Sequence, residues 1–487
     1  MIFDNLNKLE KKNFFAIIVG SGPAGISLAL KLEQKGYECL ILEAGSFDYN
    51  SENDYFINGE VIGDKYNDLK STRSREFGGT SSRWGGNCSI LKENDFNNWP
   101  ITKKDLDIYI NDARKILNIR NYLYHTKFSE NLDYFNVEWS NVKFKEKYFE
   151  YIKNSKKIFL SLNTVFCNLV GKNGKVEKIK CYKNEFFFLK SKNVIFSCGG
   201  IENSRLLLIS KKLDKSLFKF DLPIGNFFMD HPKHEVGKGI LVYNKFKNFI
   251  KEQKLFNFPV LECKNITLSL NNDLIKNENI LNSGLEIKLK RTNPNSNIIR
   301  QASCVAPKFI QKIYSSFSSK DIYEFNLKII QEQFPYNYNR IELGSKIDPL
   351  GFPLANVYWK KTSLLKKSAL RIIDEFSNVL LDQDFGRLSI NNNILSDKNY
   401  KLVLGYHQLG GTRMGTNSKD SVVDKNLLVH GFSNLYVNGS SVFSTGGFAY
   451  PTFSIVQFQK QHLSRMAQNC NQLQKIRIFY HNESLLI

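Results

Sequence analysis

The chain has 487 residues, more than a single hydrophobic core usually supports, so the sequence predicts two domains. Hydrophobic residues make up 42% and charged residues 24%, as in soluble proteins, and no uninterrupted apolar run of about 18 residues predicts a transmembrane segment. The formal net charge of +21 would suit an anionic partner, but the lysines are spread along the chain without a compact basic block. We therefore expect no nucleic-acid partner.

The cysteines and the N-terminal residues bear on location. Eight cysteines are scattered without paired or metal-type spacing, so we expect reduced thiols and no metal site. Only thirteen residues, several of them charged, precede the first predicted strand, too few for a secretory signal. Both features favour a cytoplasmic protein.

A dinucleotide-binding pattern begins the fold. The apolar run Phe14–Val19 predicts a buried parallel strand, and the following Gly20-Ser21-Gly22-Pro23-Ala24-Gly25 is a complete G-x-G-x-x-G. A predicted helix at 26–34 and a second predicted strand at 37–42 then lead to Glu43.

The chemistry of a bound dinucleotide explains this spacing. Gly20 permits the tight turn, Gly22 lets the backbone approach a pyrophosphate, and Gly25 lets the helix pack closely on the strand. The helix N-terminus faces the anion, and the Glu43 carboxylate accepts hydrogen bonds from a ribose diol. An ordinary glycine-rich turn is the alternative, but strand, turn, helix, second strand and acid all occur in the required order.

The next segments alternate between glycine-rich loops and regular elements. FGGTSSRWGGNC at 77–88 suits a backbone lying against a flat ligand, with a solvent-exposed tight loop as the alternative. A helix is expected at 103–117, whereas the aromatic-rich residues 120–150 fit no regular element. Strands are expected at 158–170, 176–182 and 193–196, the last leading into CGGIENSRLLL at 198–208. This second strand–glycine–helix junction indicates that a distant segment rejoins the nucleotide-binding domain.

The middle of the chain has a different texture. GNFFMDHP at 225–232 marks a sharp turn, after which strands with period-two alternation appear, for example at 240–243 and 266–270. Amphipathic helices are expected near 322–333 and 363–381. We interpret 236–395 as an inserted antiparallel sheet with helices that carries the substrate.

Glycine-rich segments return near the C-terminus. YHQLGGTRMG occupies 406–415, and NLYVNGSS at 434–441 predicts a strand that ends in small residues. TGGFAYPT at 445–452 precedes a predicted helix that extends to about residue 468. The basic, aromatic tail at 471–487 is a candidate edge strand.

Taken in order, these motifs resemble those of the glucose–methanol–choline (GMC) family of FAD oxidoreductases. The resemblance covers 14–236 and 406–465 and is closest to the pyranose and sugar-alcohol branch, while 237–400 match only loosely. It implies an α/β fold with a Rossmann-like FAD-binding domain, discontinuous in sequence, and an inserted α+β substrate domain with an antiparallel sheet. The FAD-binding segments would be 1–119, 158–235 and 401–470, joined by an irregular segment at 120–157; the substrate domain would be 236–400, and the tail 471–487.

The resemblance also assigns the FAD-binding positions. They are Gly20, Gly22, Pro23, Ala24, Gly25, Glu43, Ala44, Gly79, Thr80, Trp84, Gly85, Gly86, Asn87, Val165, Gly199, Gly439, Ser440, Pro451 and Thr452. One branch of the family attaches FAD covalently through a histidine in the loop before Trp84, where this chain has Arg83. We therefore expect non-covalent FAD.

The implied reaction is oxidation of an alcohol, such as a sugar or related polyol, to a carbonyl, with an unknown electron acceptor. His407 stands where the family keeps its base, and histidine titrates near the working pH. Tyr450 occupies the position of the family's second active-site residue, usually Asn or His. We expect its hydroxyl to donate a hydrogen bond to the substrate oxygen. His231 is interpreted as part of a structural turn, and His430 and His462 as structural or exposed.

Two other functions fit the same scaffold. A lyase or another non-redox enzyme would retain the flavin site. A catalytically silent flavoprotein would also retain it, and the change at Tyr450 keeps this alternative open. Only an oxidoreductase would reduce its flavin when substrate is added.

Overall fold

Five parallel strands form the sheet on which the nucleotide-binding motif lies. In spatial order they are Leu435–Val437, Ser191–Phe196, Phe14–Val19, Cys39–Leu42 and Ile158–Ser161. Ala16 lies opposite both Asn193 and Cys39. Phe14–Val19 and Cys39–Leu42 are buried throughout, as expected for parallel strands covered on both faces. The computed structural model describes residues 9–121, 123–252, 265–291, 322–395 and 403–458, together with Ile2, Ala306 and Lys308.

A larger antiparallel sheet forms the second layer of the molecule. Its strands, in spatial order, are Gly386–Ile390, Pro232–Val242, Ile322–Gln331, Ser283–Arg291, Asn265–Leu270, Leu132–Phe135 and His125–Lys127, and Val403–Leu404 pairs with Pro232–Val242. Leu285, Ile287 and Leu327 pack in one buried cluster with Ile372 and Phe376 from the helix Ser363–Asp382. The parallel sheet and this inserted antiparallel sheet confirm the predicted fold class.

Smaller sheets and helices complete the described chain. Three further sheets contain Val165–Lys172, Lys175–Lys183 and Glu185–Leu189; Arg340–Ile347, Pro353–Trp359 and Glu60–Gly63; and Asn87–Cys88 with Glu138–Trp139. The remaining α-helices are Pro23–Gln34, Lys103–Asp107, Ile110–Leu117, Phe144–Asn154, Gly199–Leu213, Tyr243–Glu252, Asn272–Glu278, Asn392–Leu395 and residues 451–458. The 3-10 helices are Ser51–Phe56, Leu69–Thr72, Gly79–Ser82, Glu93–Phe96, Lys215–Leu217 and Ser440–Val442.

Two local predictions were wrong. The helix expected near 322–333 is instead the strand Ile322–Gln331, in which Phe325, Leu327 and Ile329 point to the core at every second position. It pairs with a strand on each side, and this pairing outweighs the helical interpretation of the pattern. Residues 120–157, expected to be irregular, contain three strands and the helix Phe144–Asn154. The helix expected at 363–381 is confirmed, whereas the tail 471–487 lies outside the described residues.

Candidate active site

A cleft of about 460 Å³ runs along the carboxyl ends of the parallel strands, past Val19 and Leu42. Ligands of doubly wound sheets bind at this edge. With the exception of Gly25, all of the predicted cofactor-binding residues line the cleft, and His407 and Tyr450 line its far part. Gly25 lies beneath it, where an added Cβ would come within 2.0 Å of the Gly20 carbonyl oxygen, so its role is close helix–strand packing.

The turn after the first strand presents open backbone to this cleft. Gly20 has a φ of +102°, which favours glycine, and an added Cβ would lie 2.6 Å from the Ser197 carbonyl oxygen. At Gly22 an added Cβ would meet no atom of the described residues within 4 Å. The helix Pro23–Gln34 begins immediately afterwards, with proline at its first position. The cradle thus has the open backbone and helix N-terminus that a pyrophosphate needs.

Glu43 is held in position at the end of the second strand. Its carboxylate accepts hydrogen bonds from Ser21 N at 3.0 Å, Ser21 Oγ at 2.5 Å and Gly45 N at 2.8 Å. Burial raises the pKa of Glu43, while these hydrogen bonds and Arg75 act in the opposite direction. A carboxylate has about four acceptor positions, so one remains for a ribose hydroxyl. No sequence pattern indicated that Ser21 orients this acid.

A half-buried arginine near Glu43 was missed in the sequence analysis. Arg75 lines the cleft, stacks 3.6 Å over the Phe56 ring, and has an Nε that finds no acceptor among the described residues. Burial lowers the pKa of Arg75 to about 10, opposed by Glu202 and Glu43. An unpartnered guanidinium N–H in the cleft fits an anionic dinucleotide such as FAD. The only signal in the sequence was the arginine-rich TRSRE at 72–76.

The far part of the cleft is built where two distant segments pair. Met229 and Leu409 exchange backbone hydrogen bonds, and Gly405 N donates to the His231 carbonyl. Between these contacts Tyr406 has a φ of +57°, and His407 lies in the resulting irregular turn. Asp230 Oδ1 accepts from His407 N at 2.9 Å and from the adjacent His231 N at 2.7 Å. One carboxylate therefore fixes both segments.

The two histidines contact each other directly. His231 Nδ1 lies 2.9 Å from His407 Nδ1, and the rings are nearly perpendicular, at 87°. Burial lowers the pKa of His407 well below its usual value, and His231 and Lys233 lower it further. His407 is therefore neutral near pH 7, the form that accepts a proton. The interpretation of Asp230–His231 as a structural turn alone is incomplete.

Tyr450 adds a polar cluster on the other side of His407. The two rings are 5.5 Å apart, and the Tyr450 hydroxyl donates to Glu286 Oε1. Glu286 Oε2 in turn lies 2.9 Å from Lys233 Nζ. We call Tyr450, Glu286 and Lys233 the polar cluster. Burial raises the pKa of Tyr450 and Glu286 raises it further, while Asn87 opposes this, so the phenol stays protonated at neutral pH.

The other predicted features have the following places. Arg83 lines the cleft and stacks 4.5 Å over the Tyr49 ring. His430 lies away from the cleft and contacts Ser421 Oγ at 3.0 Å, while His462 lies outside the described residues. The described part of the chain contains no group of three or more His, Cys, Asp or Glu arranged to hold a metal ion. Among the helices that the structure describes, none has the length and hydrophobicity of a membrane span.

Comparison with known proteins agrees with this fold. Residues 335–458 match the family described as GMC oxidoreductase. The chain is similar in structure to pyridoxine 4-oxidase from Mesorbium loti, with 13% identity, a TM-score of 0.56, and coverage of 93% of this chain and 99% of that chain. It is also similar to formate oxidase from Aspergillus oryzae RIB40, with 15% identity, a TM-score of 0.55, and coverage of 95% and 100%, respectively. A comparison with curated proteins found no match.

At these identities the structural likeness shows the fold alone. The family match covers the segment that contains His407 and Tyr450, and the predicted cofactor-binding residues other than Gly25 line the same cleft. Residues 335–458 are therefore similar to the GMC oxidoreductase family, and the chain as a whole has the fold of these two oxidases.

Proposed function

We propose that this protein oxidises a CH–OH group of a sugar or related polyol to a carbonyl, with His407 as the general base and with FAD bound non-covalently. The observation that carries the proposal is the half-buried His407 in the cleft, whose Nδ1 is engaged by His231, next to a half-buried cluster of hydrogen-bonding groups. The predicted cofactor-binding residues other than Gly25 line the rest of the same cleft.

Proton transfer to His407 is the central step performed by the protein. The Nδ1 of His407 is engaged with His231, so Nε2 is the ring nitrogen left for a substrate. It removes the hydroxyl proton while the hydride leaves the same carbinol carbon, and a C=O bond results. FAD, when bound, supplies the hydride acceptor at its N5 position. A base that is already neutral at pH 7 needs no prior deprotonation.

The polar cluster supports a polyhydroxylated substrate. Lys233 and Glu286 neutralise each other, and their side chains remain 27% and 22% exposed. Such a pair has N–H donors and carboxylate acceptors but no net charge, which suits neutral hydroxyl groups. A substrate with a full charge would meet one member of the pair as a like charge.

The hydrogen bond of Tyr450 refines its proposed role. Because its proton is donated to Glu286, the hydroxyl oxygen has lone pairs for a substrate O–H. Tyr450 would therefore accept a hydrogen bond from the substrate. The donating role that we predicted from the sequence would require the hydrogen bond to Glu286 to break. Its backbone N donates to Ser89 Oγ at 2.9 Å, which holds the residue in place.

An anaerobic spectroscopic screen tests the proposal. Purified protein is mixed with sugars, glycosides, nucleotide sugars and simple alcohols, and flavin absorbance is followed, with dithionite as a positive control for reduction. We expect bleaching by at least one polyhydroxylated compound and weak or no bleaching by simple alcohols. Bleaching by dithionite with none of the alcohols would reject alcohol oxidation, and a preference for simple alcohols would reject the sugar assignment.

The cellular location belongs to the same proposal. All five cysteines within the described residues are free thiols: Cys39, Cys88, Cys167, Cys181 and Cys198. Burial raises the pKa of the Cys39 thiol, which keeps it protonated and unreactive. These thiols support a reducing, cytoplasmic environment. Fractionation of the native host tests this, and recovery of the protein outside the cytoplasm would contradict it.

A further inference from the structure

We propose that His231 is a positioning residue that holds the proton of His407 on Nδ1, so that the Nε2 lone pair of His407 faces the substrate. The inference rests on the proposed role of His407 as the base. It concerns which ring nitrogen carries a hydrogen, and this decides whether His407 can accept a proton at the position next to the cleft.

The contact between the rings allows two arrangements. The two Nδ1 atoms are 2.9 Å apart, so one of them must donate and the other must accept. Both rings are neutral near pH 7, because burial lowers the pKa of His231 to about 4 and that of His407 well below its usual value. Each ring then carries a single hydrogen. If His231 donated, the hydrogen of His407 would sit on Nε2, and that atom could not act as base.

The surroundings of His231 Nε2 favour the opposite arrangement. This atom is buried, and an ideal Cβ on Gly446 would lie 3.1 Å from it, so the backbone of Gly446 packs against it. The carbonyls of Gly446 and Gly447 raise the pKa of His231, against the larger effect of burial, although no acceptor among the described residues reaches full hydrogen-bonding geometry with Nε2.

Carbonyl oxygens can only accept hydrogen bonds. An N–H on His231 Nε2 would be attracted to them, whereas a lone pair there would be repelled. His231 therefore carries its hydrogen on Nε2 and accepts at Nδ1, and His407 donates from Nδ1. The lone pair of His407 is left on Nε2.

Asp230 positions the two histidines through their backbone N–H groups and not through their ring nitrogens. Oδ1 binds the backbone N–H groups of both histidines, and Oδ2 accepts from the Tyr66 hydroxyl at 2.5 Å. The three hydrogen bonds that this carboxylate accepts thus serve backbone alignment and Tyr66. The tautomer of His407 depends on its contact with His231, because Lys233 and Tyr450, which also lie near the ring, have Glu286 as their partner.

Histidine-selective ¹⁵N NMR on the FAD-bound protein tests the tautomer directly. The chain has seven histidines, and the signals of His407 and His231 are assigned by their loss in single variants. We expect His407 to carry hydrogen on Nδ1 and His231 to carry it on Nε2. A hydrogen on Nε2 of His407 would overturn the proposal. This readout needs no substrate, so it stands even if the alcohol screen rejects the proposed function.

Two variants separate positioning from packing. His231→Leu fills similar space but accepts no hydrogen bond, and we expect flavin reduction to slow by roughly 10- to 100-fold while FAD is retained. In His231→Asn the amide oxygen replaces Nδ1 as acceptor, and we expect recovery to within about threefold of wild type. Equal rates in the Leu and Asn variants would overturn the proposal. If His231→Leu loses FAD, His231→Asn decides the question. A large loss of flavin reduction in the Asn variant, with the His407 hydrogen still on Nδ1, would also contradict the proposal.

Discussion

Replacing Tyr450 with phenylalanine removes one hydroxyl from the polar cluster and leaves the ring in place. That hydroxyl donates to Glu286, and a lost hydrogen bond to a charged group costs about 1.5–3 kcal/mol. The lower part of this range applies, because Glu286 keeps Lys233 at 2.9 Å and its side chain is 22% exposed. We therefore expect Tyr450→Phe to slow flavin reduction by roughly 10- to 30-fold, or about 1.4–2.0 kcal/mol.

Anaerobic stopped-flow reduction, with the substrate found in the alcohol screen, measures this effect. A double-mutant cycle with Glu286→Gln shows whether the two side chains act together. If they do, the double variant is little slower than the slower single variant. Tyr148→Phe is a matched control, since its buried hydroxyl donates to the Ile116 carbonyl on a helix outside the cleft. A Tyr450→Phe rate equal to that of this control, or strictly additive effects in the cycle, would refute the reasoning.

Three further predictions concern the base and the cofactor. His407→Ala should retain the yellow colour but lose about 10²–10⁴-fold in flavin reduction, and a loss below threefold would exclude it as the base. The rate of flavin reduction should increase with pH, with a midpoint below pH 6.5, because only neutral His407 accepts a proton. Burial, His231 and Lys233 lower the pKa of His407, so a midpoint above pH 6.5 would contradict this prediction. Acid precipitation should leave the flavin in the supernatant, because Arg83 forms no histidyl bond; a yellow pellet would contradict non-covalent binding.

The cofactor end of the cleft was predictable because its signal is local. Gly20, Gly22 and Glu43 lie within 25 residues, and each has a backbone or hydrogen-bonding task that few residue types perform. Their positions around the cleft follow from strand, turn and helix geometry alone. The fold class was predictable for the same reason, since each strand–glycine–helix junction is readable by itself.

The substrate end depends on contacts that local patterns do not encode. His231 and His407 are 176 positions apart, and Glu286 and Tyr450 are 164 apart. Glu286 alternates with core residues in an ordinary amphipathic strand, so nothing in its neighbourhood indicates a partner. Ile322–Gln331 was wrongly predicted to be a helix because a short apolar run fits both the helical and the strand periodicity. Only its pairing with a strand on each side shows that it is a strand.

The order of strands in the parallel sheet has a consequence for synthesis. Ser191–Phe196 lies between Phe14–Val19 and Leu435–Val437. At 5–20 residues per second, about 20–80 s pass on the ribosome between the first of these strands and the last. During that interval the nascent sheet has an unpaired apolar edge, and the cleft lacks the side that contains His407 and Ser440. The complete cleft can therefore assemble only after Leu435–Val437 has left the ribosome, and until then the nascent chain needs protection from aggregation.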